Sequence, residues 1–199
     1  MESVLLTVLV SVFCGLTFLF IFWKNLKDDY MPSQIFSVGF IVLISFALGF
    51  FLSGFASTYR FWILFIAIVI GYIIGYSKSK IKFYEGLDSL TIALAISLIP
   101  SALFFINDWS LDLFLFYLSL ALSCLVYFSV RRYYKTFIWY KSGKRGFSGL
   151  FTLGVVFLFR SVVSIVKPDY TLFLTEYDIF ISGLISFSAF LNIFILGEK

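Results

Sequence analysis

Phe147–Asp169, FSGLFTLGVVFLFRSVVSIVKPD, is an apolar stretch long enough to cross a bilayer, with one arginine inside it. A charged side chain at membrane depth costs at least about 2.5 kcal/mol, so it marks a functional site or a polar partner within the bundle. On a helix, positions i, i+4 and i+7 share a face, which places Arg160, Ser164 and Lys167 on one stripe. This stripe is the sharpest chemical signal in the chain.

Composition sets the class around it. The chain is 61% hydrophobic with 28 phenylalanines and a mean hydropathy of +1.04, whereas soluble domains are about half apolar. The reading is an all-α membrane protein, a single polytopic domain over 1–199. Spans of about 20 residues each use up this length and leave no separate soluble domain. The stretch MESVLLTVLVSVFCGLTFLFIFW lacks a basic leader and a small-residue cleavage site, so it is predicted to be the first spanning helix rather than a signal peptide. Cys14 and Cys124 sit mid-segment and read as small packing residues. Two separated cysteines make neither a disulfide framework nor a metal motif.

Seven transmembrane helices are predicted, at Val4–Trp23, Ile35–Phe55, Phe61–Tyr76, Leu90–Ile106, Leu111–Val130, Phe147–Val166 and Ile179–Leu196. Pro100 removes a backbone donor and is expected to kink the fourth near its outer end. Gly71 with Gly75, and Gly49 with Ser53, form small-xxx-small pairs that let helix backbones approach.

Lys and Arg are retained on the cytoplasmic side, so their distribution predicts orientation. The connections after helices 1, 3 and 5 carry Lys24 and Lys27, then Lys78, Lys80 and Lys82, then Arg131, Arg132, Lys135, Lys141, Lys144 and Arg145, and the C-terminus adds Lys199. The opposite end carries only Arg60 and Lys167. The N-terminus is therefore expected outside and the C-terminus cytoplasmic, which requires an odd number of spans. The loop RRYYKTFIWYKSGKRG, basic and aromatic without an acid, reads as an interfacial segment on anionic lipid and a topology determinant, not a nucleic-acid site.

In this topology Arg160 lies about 20 Å along helix 6 from Phe147, in the outer half of a core about 30 Å thick. At the same level stand Arg60, Asn107, Asp108, Lys167, Asp169, Glu176 and Asp178. Either an anionic headgroup or an internal carboxylate is expected to be held there. The structural alternative is an arginine that snorkels to the interface and only anchors its helix.

At these residues the chain resembles the prolipoprotein diacylglyceryl transferase family, bacterial membrane enzymes that move the diacylglyceryl group of phosphatidylglycerol onto a lipobox cysteine thiol. The family's helix-6 signature, Gly-Arg-Phe-x-x-Glu-x-x-Arg before Pro-Asp, is similar to Phe159-Arg160-Ser161-x-x-Ser164-x-x-Lys167-Pro168-Asp169. Serine stands for the glutamate and lysine for the second arginine. Asp88, in Lys82–Leu90, matches an aspartate at the start of the family's helix 4. In Pro100–Trp109, Phe105 and Asn107 match, while Ser101 replaces an arginine and Asp108 lies beside the lost acid. The family's His-Gly-Gly is replaced by Trp62-Ile63-Leu64, and the chain has no histidine.

The resemblance implies a protein of the bacterial plasma membrane that handles phosphatidylglycerol and a prolipoprotein signal peptide. It implies a headgroup site of Arg160, Lys167, Ser164, Asn107 and Arg60, with Arg160 and Asp108 as the catalytic candidates. The sequence holds no obvious metal or nucleotide motif, so no metal or cofactor is expected. Three functions stay open at this point. They are a divergent transferase, a non-catalytic relative that binds lipid or a signal helix, and an unrelated small transporter or scaffold whose arginine pairs with a carboxylate or a substrate anion. A transporter is expected to show internal repeats, and none is visible.

Overall fold

The computed structural model describes residues 2–56, 59–105, 111–133, 147–166 and 177–198. They form α1 (Glu2–Leu26), α2 (Pro32–Ser53), α3 (Arg60–Lys78), α4 (Phe83–Ser97) with a 3-10 turn at Ile99–Phe105, α5 (Leu111–Tyr133), α6 (Phe147–Val166) and α7 (Asp178–Glu198). Among the described residues there is no strand, and seven helical segments are long and apolar enough to span a membrane. This is the construction of a multi-pass membrane protein. Asn107, Asp108, Lys167, Asp169 and Glu176, with most of the basic aromatic loop after α5, lie outside the described residues.

Six of the seven spans fall where hydropathy puts them, with ends moved by a few residues. The fourth is the correction: it starts at Phe83 rather than Leu90, and its α-helical part ends at Ser97 rather than running to Ile106. Glu85, Asp88 and Ser89 dilute the hydropathy of its first two turns, yet an acid in a first turn favours helix by complementing the macrodipole. At the other end the ring of Pro100 would clash with the carbonyl of Ile96, and Ile99 is pushed away from the α region as the residue before a proline. The chain tightens into the 3-10 turn instead of kinking within a continuous helix.

Among the described residues, two apolar clusters hold the helices together. Phe18, Phe22 and Leu26 of α1 pack with Ile35, Val38 and Val42 of α2, Tyr72 of α3, and Leu90 and Ala93 of α4. Val130 of α5, Phe147 and Leu150 of α6 and Ile193 of α7 form the second. α4 and α6 are the most enclosed of the seven helices, and they pack on each other. The outward stripe Phe36, Phe40, Ile44 and Leu48 on α2 is exposed, as a lipid-facing surface requires.

Both small-residue pairs meet at the α2–α3 seam. A Cβ on Gly49 would lie 2.6 Å from the Ala67 Cβ, and one on Gly71 2.6 Å from the Ser45 side chain. A Cβ on Gly75 would come within 3.1 Å of the Val38 Cα. Where hydrocarbon surrounds the protein, such close backbone approach is a main source of helix association.

Gly49→Ala is expected to lower stability by about 1–3 kcal/mol through overpacking. Gly15 has nothing within 4 Å of an added Cβ, so Gly15→Ala is expected to leave stability unchanged or raise it by up to about 1 kcal/mol through helix propensity. Thermal unfolding of the two variants in one detergent makes the comparison.

Candidate functional site

Arg160 meets a carboxylate. Its Nε donates to Asp178 Oδ1 at 3.0 Å and its Nη2 donates to the same oxygen at 2.7 Å. The arginine side chain is 12% exposed and the aspartate 0%, so the pair is withdrawn from the surroundings. Asp178 is the first residue of α7, where the free backbone N–H groups and positive dipole end of a helix favour an anion. Ser161, next to Arg160, donates to the Ile179 carbonyl at 3.1 Å, and Ser186 donates to the Gly154 carbonyl at 2.8 Å. Gly154 also admits the Phe190 ring, which would lie 2.9 Å from a Cβ. These contacts clamp α6 and α7 in one register, and that register brings the two charges together.

The start of α3 supplies an aromatic wall. The guanidinium carbon lies 3.6 Å from the centre of the Phe61 ring and 5.6 Å from that of Trp62, within cation–π range. Phe157, one turn before Arg160, packs edge-on to Phe61 and Phe65 and stacks on Trp62. Arg60, half-buried with its Nε enclosed, opens α3 directly before these rings.

Beside the pair is a cavity of about 180 Å³. Its walls are Phe61, Leu98, three apolar or aromatic residues and two serines, Ser119 and Ser123, of α5, and Val156, Phe159, Arg160 and Val163 along one face of α6. Those hydroxyls donate to carbonyls of their own helix, Ser119 to Phe116 and Ser123 to Ser119, both at 2.7 Å. Arg160 is the charged group of the lining. An apolar chamber with one convergent polar group has the make-up of a small-molecule or lipid-chain site.

The predicted site residues separate accordingly. Arg160 forms the centre, and Arg60 stands at the same end of the bundle. Ser164 is buried on α6 but is not part of the cavity wall, which runs along Val156, Phe159, Arg160 and Val163. Ser101 lies 3.0 Å from the Tyr117 hydroxyl and donates to the Leu98 carbonyl. Asp178 was legible as an acid at this level, but not as the partner, because pairing depends on how α6 and α7 pack.

Asp88 belongs to a second polar centre at the opposite end. Its Oδ1 accepts from the Gly149 N–H at 2.5 Å, among the free donors that begin α6, and its Oδ2 accepts from the Tyr127 hydroxyl at 3.0 Å. Arg131 Nη1 donates to the Tyr127 oxygen at 3.0 Å and to Asn25 Oδ1 at 3.1 Å. A Cβ on Gly149 would lie 2.6 Å from the Asp88 Cα, so glycine is required for this approach. About 16 Å of helix separates Gly149 from Arg160, which places Asp88 outside the Arg160 site. Tyr127 and Arg131 carry no local signal of this role, because the network joins four helices.

Removing one partner of a buried ion pair leaves an uncompensated charge, at a cost of about 3–5 kcal/mol. Arg160→Gln and Asp178→Asn are each expected to lower thermal stability in a neutral detergent, while the double variant loses less than the sum of the two. Strict additivity in that double-mutant cycle would mean that the pair does not couple.

Comparison of the chain with protein-family models, curated proteins and solved structures returns no match, so the reading of this site rests on its own geometry.

Proposed function

We propose that the protein handles an anionic phospholipid, phosphatidylglycerol, as a prolipoprotein diacylglyceryl transferase-like membrane protein of the bacterial plasma membrane. The observation that carries this reading is Arg160 set in the wall of an apolar cavity, beneath the Phe61 ring. Such a site offers an anionic headgroup a cation and offers its acyl chains an apolar surface. The Arg160 end faces outward and the C-terminus lies in the cytoplasm, as the lysines and arginines gathered at the opposite end favour.

The role is binding rather than transfer. Taking the proton from a cysteine thiol needs a base, and the chain has no histidine. The carboxylate beside Arg160 is engaged in the ion pair. Asp108, the other candidate for that proton, lies outside the described residues, so the test below includes a thiol acceptor.

One observation favours a second reading, in which the protein is a membrane scaffold and Arg160 is structural. Asp178 takes two guanidinium donors and is fully enclosed, which satisfies the arginine in the manner of an internal counter-ion. A lipid-retention measurement on purified protein separates the two. Arg160→Gln is expected to lose at least about ten-fold in phosphatidylglycerol retained relative to phosphatidylethanolamine, since a charge-assisted hydrogen bond contributes roughly 1.5–3 kcal/mol. Equal retention by both forms leaves only the scaffold. Incubation with labelled phosphatidylglycerol and a lipobox peptide is expected to leave the cysteine unlabelled, and label on the thiol would replace binding with transferase activity. For orientation, a C-terminal reporter that works only in the cytoplasm is expected to be active, and an inactive one inverts the assignment.

A further inference from the structure

Resting on the phospholipid reading of the Arg160 site, we propose that Asp178 is its specificity-determining residue: a resident counter-anion with which the phosphate of a lipid headgroup competes for Arg160. The argument is one of charge balance in a medium that solvates ions poorly. Arg160 lines the cavity and is already held by Asp178 through Nε and Nη2. The other cavity walls are apolar apart from two serines whose protons are committed to their own helix. A phosphate entering beside an intact pair would bring a second anion to the cation, and an unbalanced charge in hydrocarbon is expensive. One anion per arginine is therefore the stable state, and Asp178 sets the threshold that a headgroup has to exceed.

The placement of Asp178 makes it an effective competitor. It is the first residue of α7, at the positive dipole end of that helix, and it is 0% exposed. The Ser161 bond to the Ile179 carbonyl fixes the backbone immediately after it. A lipid with no net charge gains nothing by opposing this arrangement. An anionic one gains in proportion to how well its phosphate replaces the carboxylate. Asp178 thereby biases the site against weakly bound anions, and neutralising it is expected to strengthen phosphate binding.

The test uses the full chain in nanodiscs of phosphatidylethanolamine with or without phosphatidylglycerol, and reads lipid retention and Tm for wild type, Arg160→Gln, Asp178→Asn and the double variant. For Asp178→Asn, apparent phosphatidylglycerol affinity is expected to rise about ten-fold over wild type, the lower range of coupling for close charge pairs. Its Tm is expected to be several degrees higher with phosphatidylglycerol than without, because ligand bound to the folded state stabilises it. The double variant, lacking the cation, is expected to lose both responses. Folding of Asp178→Asn only in the presence of phosphatidylglycerol is the strongest form of the expected result. Equal stability in the two lipids, whether high or low, overturns the proposal, as does equal rescue by inorganic phosphate without the lipid. Loss of retention in Arg160→Gln with no gain in Asp178→Asn sinks the competition alone, whereas unchanged retention in Arg160→Gln sinks the lipid site itself.

Discussion

A charge inside hydrocarbon requires a partner, and the pairing of Arg160 with Asp178 is the constraint on which this architecture turns. The pair joins the C-terminal half of α6 to the first residue of α7. Its aromatic cover comes from the start of α3, far away in sequence. Three helix segments are thus committed to one place in the bundle. The apolar cavity opens beside that place, with α5 supplying its remaining wall.

The same helix is held at its other end by a second carboxylate. Asp88 of α4 accepts from the first turn of α6 and, through Tyr127 and Arg131, reaches α5 and α1. α6 therefore runs between an acid that accepts from the Gly149 N–H in its first turn and an acid that neutralises its arginine. Between them α6 is approached closely by the Asp88 backbone at Gly149 and by the Phe190 ring at Gly154. A rigid α6 is what gives Arg160 a defined position at the cavity, and a defined position is what an anion site needs. The α2–α3 pair, closed by its own glycine seam, contributes Phe61 and Trp62 from one end of this framework.

The placement of Asp178 is also what separates a lipid site from a satisfied structural arginine. An arginine alone at this depth would attract any anion able to reach it. An arginine with a resident carboxylate is a weaker and more selective site, because the newcomer has to do better than a counter-ion positioned by a helix terminus. This reconciles the buried ion pair with the proposed headgroup binding, and makes Asp178 the residue in which the two readings differ.

The class of the protein and six of its seven spans were legible in the sequence, because burial in lipid demands runs of apolar residues whatever the packing. Arg160 was legible for the same reason, as a charge where none is cheap, and so were the small-residue pairs at the α2–α3 seam. The start of α4 was not, since Glu85 and Asp88 look like loop residues until Tyr30, in the connection between α1 and α2, and the first turn of α6 receive them. Nor were the choice of Asp178 among the nearby acids, the absence of Ser164 from the cavity wall, or the cavity itself. Periodicity along one helix is a local property that sequence determines. Which face meets which neighbour, and therefore which charge finds which, is decided only when seven helices compete for the same contacts.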